Sequence, residues 1–389
     1  MKKVYADNNA TTRVAPEVLD AMLPYLKDMY GNPSSMHDFG GDVARKMAAA
    51  RGSVAALLGA ADEEIVITSC GTESDNAAIR SAIETHPEKR HIVTTKVEHP
   101  AVRSLCNLLA SKGYWVTELG VDAKGRLNLD ELRDSLRDDT AIVSIMYANN
   151  ETGVIFPIEE IGQIVKERGI LFHTDAVQAV GKIPLNMRSS TVDMLSLSGH
   201  KLHAPKGIGA LYVRRGVPFR PFLIGGHQER NRRGGTENVP SIIALGKAAE
   251  LAMEHMEEEN TRVKAMRDRL EKELLAKARG AYLNGDPDAR LPNTTNISFE
   301  YVEGEAILLL LNEKGVGASS GSACTSGSLE PSHVLRAMGV PFTRAHGSVR
   351  FSLSRYNTDE DIAYIIAHVP PIIERLRYLS PYGHEEGAV

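Results

Sequence analysis

Three observations predict an α/β fold with a mostly parallel central sheet in a large unit and a second, smaller α+β unit. Short apolar runs rich in β-branched residues alternate with helical periodicity from residue 16 to residue 220. Strands joined through helices lie parallel, with both faces covered. After Glu237 the alternation gives way to a long charged helical stretch reaching about Ala278, and then to a short mixed series. The chain's 389 residues are two to three domains' worth at roughly 150 each, enough for two cores.

Pro16 opens the first helix, with Val18, Leu19, Met22, Leu23 and Leu26 at helical spacing. Glu64 to Thr68 is a β-rich run, and a helical stretch to Ile83 follows Gly71 and Thr72. Strands are expected at His91 to Thr95 and Tyr114 to Leu119, with a helix from Ala101 to Lys112 between them. Asp130 caps a short helix through Arg137. Ala141 to Tyr147, Ile170 to Thr174, Met194 to Leu197 and Gly209 to Val213 read as further strands. The region from Glu237 to Ala278 reads as a connection whose charges lie on an exposed face, placing a boundary near residue 262. Beyond it come a strand at Thr295 to Phe299, a helix at Glu303 to Asn312, a strand at Ser348 to Ser354 and a final helix at Asp359 to Leu379.

Composition narrows the function. Hydrophobic residues make up 42% and charged residues 24%, and the net charge is −5, an ordinary globular balance. With no basic tract, nucleic acid is not expected as the main partner. The longest apolar run, Ala306 to Leu311, is far short of the ~20 residues a membrane helix needs, so no membrane association is expected. Asp7 and Asn8 interrupt the N-terminus before an apolar stretch develops, so no secretory signal is expected. Three widely spaced cysteines, Cys70, Cys106 and Cys324, with no C-x-x-C, argue against disulfides and thiolate zinc and for a reducing cytoplasm.

Five expected strands end in polar residues: Cys70-Gly71-Thr72, Glu98-His99, Asn149-Asn150-Glu151, Asp175 with Gln178, and Ser198-Gly199-His200-Lys201. In a parallel sheet these converge on one rim, where ligands bind. Gly71-Thr72, between strand and helix, suits a phosphate; a plain turn accounts for it equally. Lys201, partly desolvated between His200 and His203, has the chemistry to bond a carbonyl carbon, although a lone lysine is more often a surface side chain. Asp175 has the chemistry to hold a pyridinium nitrogen protonated. His99 is a candidate acid, base or stacking group. Cys324 stands in a Gly/Ser stretch from Gly317 to Ser328, a composition that favours an exposed mobile loop. Arg350, on the polar side of an alternating strand, suits a bidentate carboxylate contact.

The ordered motifs resemble the cysteine desulfurase family, within the aspartate-aminotransferase-like (fold-type I) enzymes of pyridoxal phosphate. They begin with Tyr5-Ala6-Asp7-Asn8-Asn9-Ala10-Thr11-Thr12 and Gly31-Asn32-Pro33-Ser34-Ser35. They continue through Thr68 to Ser74, Glu98 to Val102, Ala148 to Gly153, His173 to Gln178, Ser198 to Lys201 and Gly234 to Asn238, and end at Ser319 to Cys324. The Ser-rich cysteine loop is similar to the long-loop group, and the wording of the motifs to its nitrogen-fixation (NifS-like) type. The resemblance implies that residues 16–262 form the large cofactor-binding domain, and that 1–15 with 263–389 form a small domain carrying the cysteine loop.

Carried over by position, the resemblance implies that Lys201 holds pyridoxal phosphate covalently. It pairs Asp175 with the pyridine nitrogen, Gln178 with the ring hydroxyl, and His99 with the ring face. Gly71, Thr72, Ser198 and His200 hold the phosphate, joined by Thr236 from the second subunit of a homodimer. Asn150 and Arg350 position L-cysteine. Cys324 takes the sulfur as a persulfide, L-alanine leaves, and an iron–sulfur scaffold protein is the implied acceptor, in general cluster assembly or nitrogenase maturation. No resident metal is expected, with Cys324 available as an iron–sulfur ligand during transfer, and Cys70 is expected to be structural. Three other readings stand beside this one: a selenocysteine lyase of the same fold, a non-catalytic sulfur-relay scaffold, and a metal hydrolase built on His173, Asp175, His200 and His203.

Overall fold

Runs of four to six β-branched and apolar residues become strands here because both their faces are covered. The computed structural model describes residues 2–320 and 331–380. Among them are twelve strands: β1 (Val4–Tyr5), β2 (Ile65–Thr68), β3 (His91–Thr95), β4 (Trp115–Leu119), β5 (Thr140–Ser144), β6 (Leu171–Asp175), β7 (Met194–Ser198), β8 (Gly209–Val213), β9 (Ala281–Leu283), β10 (Thr294–Phe299), β11 (Val316–Gly317) and β12 (Ser348–Ser352).

The large sheet has the order β2-β8-β7-β6-β5-β3-β4. Every pair in it is parallel except the two that β8 makes, with β2 and with β7. The five polar strand ends anticipated from the sequence therefore lie on strands that all run the same way, and they open on one edge. β12-β10-β9 form a separate antiparallel sheet, and β1 pairs with β11 in parallel. The predicted α/β class with a mostly parallel sheet is what the chain adopts.

Three apolar clusters fill the interior around these sheets. One covers one face of the large sheet, with Val93, Val143, Phe172, Leu195 and the helix Val239–Glu254. A second, with Ile79, Ile92, Leu105 and Ile142, packs the helices Gly71–Thr85 and Pro100–Ser111 onto the opposite face. A third joins the small sheet to the helices Lys264–Lys277 and Asp359–Leu379 through Leu270, Ile297, Phe351 and Ile365. Burying each such side chain fully contributes roughly 1.5–3 kcal/mol.

The stretch read as one charged connection is built differently. Its first part, Val239–Glu254, is largely buried, with Ile242, Leu245, Ala248 and Ala249 in the core. A π-helical turn at Glu259–Val263 precedes the helix Lys264–Lys277, and most of the charge falls there. The 21-residue helix Asp38–Leu58 had no strong sequence signal, since Gly40, Gly41, Gly52 and several alanines blur its apolar stripe. Those small residues are its packing surface: a Cβ on Gly246 would come within 2.6 Å of the Ala50 backbone. The helix stops at Gly59, whose φ of +61° ends it in the left-handed region. Among the described residues, no helix is long and apolar enough to cross a membrane.

Candidate active site

The carboxyl edge of the large sheet opens onto a cavity of about 330 Å3. It is lined by Gly71, Thr72, His99, Asn150, Asp175, Gln178, Ser198, His200, Lys201 and Arg350, ten positions singled out from sequence. Thr236 is not among them: it is exposed and borders a second cavity of about 180 Å3, beside Arg233, Glu229 and Ser69. Cys324 lies outside the described residues.

Lys201 ends the 3-10 turn Gly199–Lys201 that follows β7. Its Nζ donates to the carbonyl of Ala10 at 2.8 Å and to that of Asn9. The segment supplying those carbonyls is stitched to the same turn, because the Thr12 amide and hydroxyl both donate to the His200 carbonyl at 2.9 Å. Asn9 and Ala10 also line the cavity. No argument from spacing could find them, since they act through backbone carbonyls that any residue carries; only the N-terminal motif pointed there.

His99 caps the helix Pro100–Ser111, its Nδ1 accepting the Ala101 amide at 3.1 Å. That bond leaves Nε2 as the protonated nitrogen of the neutral ring. Burial holds its pKa below the ordinary value; Lys201 pushes the same way and Asp175 opposes. Asp175 closes β6, and its Oδ1 accepts the Val177 amide at 2.9 Å. Burial pushes its carboxyl up, against the pull of His99, the Val177 amide and Lys201. Arg350 is buried, donating to the Asn150 carbonyl and to Asp7 Oδ1, both at 2.8 Å, while its Nε has no hydrogen-bond partner among the described residues.

A buried polar layer lies under the cavity. Asp75, which lines the cavity, is 1% exposed and sits 3.6 Å from His173 Nε2. His173 is held between the hydroxyls of Ser144 and Ser196, at 2.9 Å each, and burial lowers its pKa to about 3. His203 Nδ1 is bonded to the Arg13 carbonyl, and His200 Nδ1 to Thr11. The four residues of the metal-hydrolase reading are thus committed to separate partners, and no group of three or more metal-ligating side chains occurs among the described residues.

Glu98 is also fully buried, its Oε1 accepting the Thr95 hydroxyl at 2.8 Å and the Met146 amide at 3.0 Å, and burial raises its pKa to about 8. The folded protein therefore keeps this proton up to about pH 8, whereas the unfolded chain releases it near the ordinary glutamate value of 4.5. Between those limits the native state binds more protons, so this group's contribution to stability falls as pH rises. Thermal unfolding across that range is expected to show Glu98→Gln gaining on the wild type by up to ~1.4 kcal/mol per pH unit. A pH-independent difference would contradict this protonation.

The pyridoxal phosphate implied by the resemblance fits these residues. Cys70 provides no side-chain cap for the helix Gly71–Thr85, so the leading amides, which have no partner within the helix, are available to an anion. Gly71 is required where it stands, because a Cβ would meet Val177 Cγ2 at 2.7 Å. The Oε1 of buried Gln178 has no partner among the described residues, and Asp175 turns a carboxylate to the same space. A phosphate, a ring hydroxyl and a protonated ring nitrogen meet complementary groups there.

Comparison with known proteins agrees. The family model described as aminotransferase class-V matches residues 4–365. A cysteine desulfurase of Trichormus azollae is 66% identical over 386 residues, covering 99% of this chain and 96% of its own. The cysteine desulfurase NifS of Azotobacter vinelandii is 61% identical over 100% of this chain and 97% of its own. A solved structure titled NifS-like protein superposes with a TM-score of 0.90 at 41% identity, covering 97% of this chain and 100% of that one. Matched over nearly its whole length in both sequence and fold, the chain belongs to the aminotransferase class-V family, among the cysteine desulfurases.

Proposed function

We propose that this protein is a pyridoxal phosphate-dependent cysteine desulfurase that converts L-cysteine to L-alanine and leaves the sulfur as a persulfide on Cys324. The observation that carries the reading is the meeting of Lys201, Asp175, Gln178 and Arg350 in one cavity beside the uncapped start of the helix Gly71–Thr85.

When bound, pyridoxal phosphate supplies an electron sink that makes the substrate Cα–H acidic. Gly71, Thr72, Ser198 and His200 would hold its phosphate, Gln178 its ring hydroxyl, Asp175 its ring nitrogen and His99 its face. Arg350, which lines the cavity, would receive the substrate carboxylate with Asn150 beside it. Lys201 Nζ would hold the cofactor, and the same nitrogen would serve as the base for the substrate Cα proton. The Cys324 thiolate attacks the substrate sulfur, the Cβ–S bond breaks, and protonation from His99 Nε2 completes alanine. Atoms balance without an outside oxidant, because the enzyme thiol gains the sulfur that the substrate carbon loses.

The persulfide then passes to an iron–sulfur scaffold protein, for general cluster assembly or nitrogenase maturation. Thr236, exposed and away from the chain's own cavity, is read as the residue a homodimer lends to its partner's phosphate. A division near residue 262 is supported by the separate apolar cluster around the small sheet, although Leu291, Val334 and Leu335 pack with a cluster of the large one.

The direct test is alanine and sulfide release from L-cysteine with a reductant, for wild type and Cys324→Ala together. Equal amounts are expected from the wild type, with a loss of about 100-fold or more in the variant, the scale on which catalytic nucleophiles act. Cys70 borders the cavity, so undiminished turnover in Cys324→Ala, with a persulfide mass on Cys70, would move sulfur transfer there. No alanine from the wild type would overturn the desulfurase reading.

A further inference from the structure

Residues 321–330, which include Cys324, lie outside the described residues, but the chain on either side is tied to the cavity. On the entering side, Ser319 and Arg350 exchange backbone hydrogen bonds, the Arg350 amide donating at 2.7 Å and the Ser319 amide at 3.3 Å. On the leaving side, Ser332 donates its hydroxyl to the Glu151 carboxylate, and both residues are under 5% exposed. The next residue, His333, places Nε2 3.0 Å from the Glu98 carbonyl, and burial lowers its pKa to about 4, so the neutral ring donates there.

These anchors are not scattered. Glu151 follows Asn150, whose carbonyl holds Arg350, and Glu98 precedes His99. The exit from the cysteine segment is thus bonded to the immediate neighbours of both the substrate-binding and the ring-facing residues.

We propose that Glu151, Ser332 and His333 are positioning residues that seat the chain leaving the Cys324 segment against both ends of the cavity. The reason for such a seat rests on the desulfurase reading: a thiolate must meet one substrate sulfur, and a misplacement of about 1 Å can cost on the order of 100-fold. Ser332 also caps the helix His333–Ala337, its hydroxyl oxygen accepting the Val334 and Leu335 amides at 3.1 and 3.3 Å, and the test must separate the two roles.

The holoenzyme variants Ser332→Ala, Ser332→Thr and Ser332→Asp do so. Threonine keeps both roles. Aspartate keeps a capping oxygen but sets a second carboxylate against Glu151. Three readouts are compared: alanine formation from L-cysteine, which needs Cys324; exchange of the L-alanine Cα hydrogen in heavy water, which needs only the cavity; and the rate of Cys324 alkylation by iodoacetamide, followed by peptide mass.

Alanine formation is expected to fall about fivefold or more in Ser332→Ala and Ser332→Asp, with threonine within twofold of wild type. Exchange should stay within twofold in all three, and the alkylation rate should change about threefold or more in the alanine and aspartate variants. Recovery by aspartate would reduce Ser332 to a helix cap. A parallel loss of exchange would mean damage to the cavity, and unchanged alkylation would mean that nothing is seated; each overturns the proposal. Should the wild type make no alanine, the desulfurase reading fails, while the alkylation rates still decide whether the seat exists.

Discussion

Lys201→Ala is expected to lower alanine formation from L-cysteine by about 1,000-fold or more and to abolish covalent retention of the cofactor. In the proposed mechanism two functions meet on this nitrogen. As the attachment point, Nζ would preorganise the cofactor; as the base, it would stand where the substrate Cα–H is delivered, a contribution of roughly 10²–10⁴ by itself. The structure also shows why a neighbouring amine is a poor replacement. Nζ is aimed by the carbonyls of Asn9 and Ala10, and the segment bearing them is fixed by Thr12 to the turn that bears the lysine. Losing the ammonium strands these acceptors, at about 1–3 kcal/mol for a buried one, so some loss of stability should accompany the loss of activity. Borohydride reduction followed by peptide mass analysis reads the attachment directly: the cofactor mass should appear on the Lys201 peptide of the wild type and on none in the variant. Finding it instead on Lys182, which lines the small cavity behind Lys201, would reassign the tether.

The site was legible where it depends on side chains at strand ends. Asp175, Lys201 and His99 stand next to strands whose apolar runs are plain in the sequence, and a parallel arrangement brings them together without further information. Asn9 and Ala10 were not legible by pattern, because they act through carbonyls and come from a segment some 190 positions away. Asp75 was hidden for a different reason. It sits within the helix Gly71–Thr85, where a carboxylate ordinarily marks a solvated face, and only the packing of that helix onto the sheet shows that it is buried. The helix Asp38–Leu58 escaped because its packing surface is made of glycine and alanine, which carry little apolar signal yet allow close approach. Fold class and ligand edge follow from periodicity; the second layer of polar residues depends on which helix face meets the sheet, and periodicity does not report that.

Asp175→Asn separates charge from shape in that layer. Asparagine fills the same volume, and its side-chain oxygen can still accept the Val177 amide that Asp175 Oδ1 takes at 2.9 Å, so the cofactor should remain bound. What disappears is the negative charge proposed to face the ring nitrogen. Removing one member of a buried charge pair costs about 3–5 kcal/mol, which at 1.36 kcal/mol per decade predicts a fall in kcat of at least about 100-fold, with KM for L-cysteine within about threefold. Two titrations should move with it, in directions the surroundings fix. Asp175 opposes the effect of burial on His99, so its removal should carry the His99 pKa lower still, and the limb of the activity profile that follows His99 should shift to lower pH. Asp175 also raises the pKa of Asp75, second only to burial; neutralising it should make Asp75 easier to ionise, beside the ring. A variant that loses kcat and leaves the His99 limb in place would mean that His99 does not feel this carboxylate in the working enzyme. A variant that keeps full kcat would mean that the ring nitrogen takes its proton from elsewhere, and Asp75, the other buried carboxyl lining the cavity, is then the group to change next.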